Sequence, residues 1–364
     1  MRQRRKSWRW RPQPSKTGAE VRGVNDMEKN LEQKNRLSLG YRLFLSPEVG
    51  ILIPVVIMCV VATIANPKFL VWGNLSYIIE SGMYVGLLAL GEAIIIMNGE
   101  IDLSIGAAGG FASVMVGVAS ALWGCPMLIS LLIGLLAGVL IGFINGLVSA
   151  KFGLTSWIVT FATQFICLGV SAFISDGKVM KLMNEAFADQ YAALGEFKGW
   201  TAPGLQFSSM FFVFILIMIL LDIFVRKTQF GYKLRAVGGN RDAALLAGIN
   251  VKNVKFIVFM IAGLFAGLYG VFFSVKQMST NLAQGSGGEF RAITCCAIGG
   301  IAMTGGKGSI YGVGLGTLLF HIVNGALQSM GADNNVQLLM VGVLLVIAVL
   351  LDIIRQRVEA RKMV

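Results

Sequence analysis

Charge is scarce in this chain. Of its 364 residues only 14% are Asp, Glu, Lys or Arg, while 55% are hydrophobic. A soluble domain carries about 25% charged residues, so the composition excludes a soluble enzyme and indicates an integral membrane protein. Histidine is nearly absent: His321 stands alone in an apolar run. No His-based metal cluster or Ser–His–Asp set can therefore be built, and His321 reads as a packed, hydrogen-bonded core residue. The five cysteines, Cys59, Cys125, Cys167, Cys295 and Cys296, lie in or beside apolar runs without metal-ligand or disulfide spacing; they read as small hydrophobes.

Phosphate and dinucleotide motifs are also missing. Around Lys307 the text Ile301-Ala-Met-Thr-Gly-Gly-Lys-Gly308 has Ile where a phosphate-binding loop needs Gly, and Gly where it needs Ser or Thr. Gly312-Val-Gly-Leu-Gly316 misses the dinucleotide spacing and has no preceding strand. No catalytic residue, metal ion or cofactor is called for. A basic start is not followed by an apolar stretch before Val49, so no signal peptide is expected.

Apolar length is abundant. Crossing about 30 Å of hydrocarbon takes about 20 residues of helix, and ten segments approach that measure: Val49–Ala65, Tyr77–Met97, Leu103–Leu122, Met127–Ala150, Leu154–Ser175, Ser208–Val225, Phe256–Val275, Ile293–Met303, Ile310–Leu327 and Val336–Leu351. The eighth is half-length and hemmed by glycine, which predicts a half-helix or one buried among others. The expected fold is all-α and polytopic, with about ten transmembrane helices, at least one of them short or broken.

The net charge of +12 is concentrated at three places. Residues 1–48 hold 12 Lys or Arg against 5 Asp or Glu, Arg226–Lys255 hold 7 against 1, and Arg355–Val364 hold 4 against 1. Clusters that flank apolar spans mark cytoplasmic ends, not a nucleic-acid surface. Both termini and the 226–255 loop then face the cytoplasm, and the loop Asp176–Phe207, with no positive bias, faces outward. Residues 1–48 and 355–364 read as basic tails around a membrane domain at 49–354, the first tail disordered or in contact with anionic lipid.

Glycines repeat every four residues at Gly134, Gly138, Gly142 and Gly146, and in the pairs Gly82/Gly86, Gly106/Gly110, Gly263/Gly267 and Gly312/Gly316. Small residues so spaced let helices approach closely in lipid. They serve either one chain's bundle or a subunit interface.

Two polar stretches stand out. Asn98-Gly-Glu-Ile-Asp-Leu-Ser-Ile-Gly-Ala-Ala-Gly-Gly110 breaks two apolar runs with Glu100 and Asp102, which are costly unless capped, paired or facing water. Asp102 reads as the N-cap of the next helix, with a place on a substrate path as the competing reading. The second stretch runs from Thr228 to Ile249. There Asn240 is a good N-cap, Asp242 sits in the first turn and Gly248 suits the stop. Between them Ala243–Ala247 form a short, largely apolar helix that wants a partner surface, either a protein or lipid.

Taken in order, Gly-Glu-Ile-Asp-Leu-Ser-Ile-Gly, then Thr-Gln-Phe-Gly…Ala-Val-Gly-Gly-Asn…Ala…Gly-Ile, then Ala297-Ile-Gly-Gly…Gly-Gly-Lys-Gly-Ser…Gly314 closely resemble the ribose/galactose/xylose-type permeases, the membrane subunits of bacterial ABC importers. The resemblance covers roughly Val49 to Ile354. It departs at Glu100, where the family usually has Gly. It implies inner-membrane localisation and three partners: a second permease copy, identical or related, a cytoplasmic ATPase and an extracytoplasmic solute-binding protein. By this resemblance Gly239, Asn240, Arg241, Asp242, Ala243, Ala244, Leu245, Leu246 and Gly248 form the segment that docks on the ATPase. Polar residues in or beside the spans are translocation-path candidates: Glu92, Asn98, Glu100, Asp102, Asn145, Thr160, Gln164, Asn324 and Gln328. Against each stands an interhelical hydrogen bond, worth about 0.6 kcal/mol. The solute implied is a simple sugar or similar small polar molecule. The alternative is an ion-coupled secondary transporter using Glu92, Glu100 and Asp102.

Overall fold

The computed structural model describes residues 47–182, 207–281 and 283–362, with side chains described between 56 and 354. The chain divides into two compact units, Met1–Gly50 and Ile51–Val364. Of the first, only Pro47–Gly50 are described, as the opening turn of a helix. The basic tail expected over residues 1–48 therefore lies almost wholly outside the described residues.

Lipid offers backbone groups no hydrogen-bond partner, so long apolar segments become helices. They are α1 (Pro47–Ala65), α2 (Trp72–Met97), α3 (Ile105–Gly117, prolonged by a π-helical turn over Val118–Leu122), α4 (Met127–Lys151), α5 (Ser156–Ser175), α6 (Ser209–Lys227), α7 (Gln229–Gly239), α8 (Arg241–Leu246), α9 (Val251–Gln277), α10 (Gly288–Ile298), α11 (Ile310–Ser329) and α12 (Asn334–Lys362). Eight are long and apolar enough to cross a membrane, and α1 adds the shorter apolar stretch Val56–Ala65. The only strands among the described residues, β1 (Met180–Lys181) and β2 (Ser279–Thr280), pair antiparallel, Met180 opposite Thr280. The expected all-α, polytopic membrane architecture is what is observed.

Apolarity on every side marks a central helix. In the most apolar 18-residue stretch of α2, 83% of the residues are buried within the chain, against 11% in that of α12. The other central element is α9, which packs on α4, α3 and α2. The glycine stripe makes the closest of these contacts. A Cβ on Gly138 or Gly142 would meet the α9 backbone at Gly263 or Gly267, and one on Gly134 would meet α3. The pairs Gly82/Gly86 and Gly312/Gly316 also face neighbours within the chain, α11 and α6 for the first and α10 for the second. His321 lies against Gly82, its Nδ1 3.1 Å from the Thr317 carbonyl.

Three local details differ from the sequence reading. The short helix, expected at Ile293–Met303, begins at Gly288 and ends at Ile298. Glu289 and Arg291 look like loop residues by hydropathy, yet Glu289 is buried because Gln164 Nε2 donates to its Oε1 at 2.9 Å. Second, α3 starts at Ile105 with Ser104 in the N-cap position, so Asp102 is not the N-cap. Asp102 acts two residues earlier, its Oδ1 accepting from Ser104 N at 2.7 Å and Ser104 Oγ at 2.6 Å. Third, α12 continues past Leu351 to Lys362, so the basic C-terminal stretch is helical as far as that residue.

Candidate functional site

The segment between α6 and α9 is built from caps. Thr228 Oγ1 accepts from Gly231 N at 3.2 Å and starts α7. Asn240 ends α7 and starts α8, its Oδ1 accepting from Ala243 N at 2.9 Å. Gly248, at φ +78°, makes the left-handed turn that glycine tolerates best. Ala247, Gly248 and Ile249 return their N–H groups to the carbonyls of Ala243, Leu245 and Ala244. Only Ala244 of the six-residue α8 points inward; Arg241, Asp242, Ala243 and Leu245 are exposed, and Leu246 is 91% exposed.

Next to α8, the end of α7, the turn after α2 and the glycine-rich loop after α10 meet backbone to backbone. Gly306 N donates to Met97 O at 2.9 Å. A Cβ on Gly99 would lie 3.7 Å from Gly238 Cα, and one on Gly306 would lie 2.6 Å from Gly239 Cα. A Cβ on Gly238 itself would overlap the Met97 carbonyl oxygen. The three blocks that carried the sequence resemblance thus touch at this junction.

From the junction a polar seam runs inward along the 98–104 loop. Glu92 Oε1, on α2, accepts from Asp102 N at 3.2 Å. Asn145 Nδ2, on α4, donates to Ser104 Oγ at 2.8 Å, and Thr163 Oγ1, on α5, donates to Asn145 Oδ1 at 2.7 Å. Thr160 Oγ1 accepts from Leu103 N at 3.0 Å. Glu92, Ser104, Asn145 and Thr160 are fully buried. Burial pushes the Asp102 carboxyl up, to about 6, against hydrogen bonds from Ser104 and Ile105 that favour its charge. Glu92 Oε2, Glu289 Oε2 and Asn98 Oδ1 are buried without a hydrogen-bond partner.

Glu100 is held from two sides. Lys255 Nζ, early in α9, lies 2.8 Å from Glu100 Oε1, and both side chains are nearly buried, at 6% and 14% exposure. Ser156 Oγ, at the start of α5, donates to Glu100 Oε2. Among the described residues no three His, Cys, Asp or Glu side chains cluster closely enough to hold a metal ion.

The family model for the permease component of branched-chain amino acid transport systems matches residues 74–349. The chain belongs to this permease family. It is similar to the ribose import permease protein of Bacillus subtilis (strain 168), 33% identical over 321 residues that span 88% of this chain and 96% of that one. It is also similar to the L-arabinose transport system permease protein of Escherichia coli (strain K12), 29% identical over 316 residues, 86% of this chain and 92% of that one. A probable ABC transporter permease protein of the same strain is 32% identical over 307 residues, 84% and 90% of the two chains. No solved structure matches the chain. With these relatives the protein is a permease of the sugar ABC importer type, a multi-pass protein of the bacterial inner membrane.

Within this permease the sequence-predicted polar residues do not form one group. Glu92, Asp102, Asn145 and Thr160 join the seam, Gln164 is paired with Glu289, and Glu100 with Lys255. Asn324 is half-buried and Gln328 exposed on α11, and no hydrogen bond ties either to the seam among the described residues. Sequence reasoning missed Ser104, Thr163, Ser156, Glu289 and Lys255. A signal existed for the last. Val251, Val254, Lys255, Val258 and Phe259 are the buried stripe of α9, so the lysine stands on an apolar face.

Proposed function

We propose that the permease carries a simple sugar, or a similar small polar solute, inward by alternating access, driven by ATP hydrolysis on a separate subunit. The supporting observation is the likeness, over nearly its whole length, to permeases named for ribose and L-arabinose. The basic α6–α9 segment then faces the cytoplasm, as the positive-inside rule requires. There α8 docks on the ATPase with Leu245 and Leu246 inserted and Arg241 and Asp242 at the rim. The Asp176–Phe207 loop receives a solute-binding protein, and two permease copies enclose the path. The ion-coupled alternative loses support from Glu100, whose charge Lys255 already neutralises.

Proteoliposomes containing the permease, its co-purified ATPase and its solute-binding protein test this reading with radiolabelled ribose, L-arabinose and leucine. Pentose uptake that requires ATP is expected. Uptake by the permease alone, driven by a sodium or proton gradient, refutes it.

A further inference from the structure

Glu100 and Lys255 sit on parts of the chain with different tasks. Lys255 belongs to the first turns of α9, which α8 feeds directly: Gly248 N and Ile249 N close onto α8 carbonyls, and Asn250 Oδ1 caps α9 through Asn253 N at 3.0 Å. These bonds leave little play between α8 and the start of α9. Glu100 belongs to the 98–104 loop, whose next residues enter the seam through Asp102, Leu103 and Ser104. A nearly buried ion pair at 2.8 Å joins the two. Separating such charges inside the protein would strand the Lys255 ammonium and leave Glu100 with Ser156 alone, so the link resists opening far more than a surface pair does. Gly238, packed on Met97 at the end of α2 and facing Gly99 at the start of the same loop, gives it a second, purely steric support from α7.

We infer that Glu100 and Lys255 are positioning residues that form a strut, making the 98–104 loop and its buried seam move with α8. The inference rests on the reading of α8 as the ATPase-docking helix, and extends it by naming where the motion enters the membrane core. The strut passes the displacement of α8 through Lys255 to Glu100, and from Glu100 to the loop that Glu92, Asn145 and Thr160 hold.

The test is the number of ATP molecules hydrolysed per solute taken up by the reconstituted importer, for wild type, Glu100→Gln, Lys255→Gln, Glu100→Asp and the swap Glu100→Lys/Lys255→Glu. Size-exclusion profiles and thermal melting report folding. Each neutral variant is expected to keep basal ATP hydrolysis and to raise the ratio at least about fivefold, the low end of usual coupling between two sites. Glu100→Asp and the swap are expected to bring it back toward wild type. Neutral variants with the wild-type ratio overturn the strut. So does a folded swap that fails to restore coupling; where the swap does not fold, a Glu100→Asp variant that couples no better than Glu100→Gln overturns it instead. A wild type whose uptake needs no ATP brings down the importer reading and the strut together. A wild type that couples, beside a Glu100→Gln variant that couples equally, brings down the strut alone.

Discussion

At Gly238 a methyl group would occupy the space of the Met97 carbonyl oxygen, and both partners are backbone, which cannot swing aside as a side chain can. Its neighbour Gly239 has open room, the nearest atom being Gly306 Cα at 4.0 Å from a Cβ. Gly238→Ala is therefore expected to destabilise the protein by about 3 kcal/mol, the upper range for overpacking, and Gly239→Ala by far less. Thermal melting in detergent checks the contrast; equal melting temperatures would contradict it. The family resemblance pointed to Gly239 rather than Gly238, because adjacent glycines look alike until the chain is folded. Lys255 was legible in principle, since its place on an apolar stripe can be counted. Its partner was not, because it lies 155 positions away along the chain, at Glu100.

Among elements, α8 was the most legible. Asn240, Asp242 and Gly248 announce its beginning and end by local capping and charge, and the helix forms at Arg241–Leu246, two residues ahead of the apolar stretch Ala243–Ala247 and with Ala247 as its cap. Leu246 touches almost nothing in its own chain, so Leu246→Glu is expected to leave the melting temperature unchanged. A charge on the face proposed to insert into the ATPase should nevertheless weaken co-purification of that subunit by about tenfold or more, the scale of a modest interface anchor. Intact co-purification would remove α8 from the interface. The short helix α10 was less legible. Its start is polar, and the hydrogen bond that helps Glu289 to be buried there comes from the distant Gln164.

For the molecule as a whole, apolar length found the spans because lipid imposes it. Sidedness rests on the distribution of basic residues, and it can be checked directly. Leu246→Cys, in a chain otherwise cleared of reactive cysteine, should react with a membrane-impermeant maleimide in inside-out vesicles and not in intact cells. Labelling from outside would reverse the topology. Which glycine stripes pack within the chain was not legible, since the spacing is the same for one subunit or two. The contacts of Gly138 and Gly142 with Gly263 and Gly267 place that stripe between α4 and α9.

Helix α9 has 27 residues, about 40 Å of rise at 1.5 Å per residue. Near its first end is Lys255; just past its last, β2 holds the opening residues of the loop after α5, with Leu182 N bonded to Met278 O at 3.0 Å. One helix therefore ties the short ribbon after α5 to the lysine that meets Glu100, with about 33 Å of rise between Lys255 and Gln277.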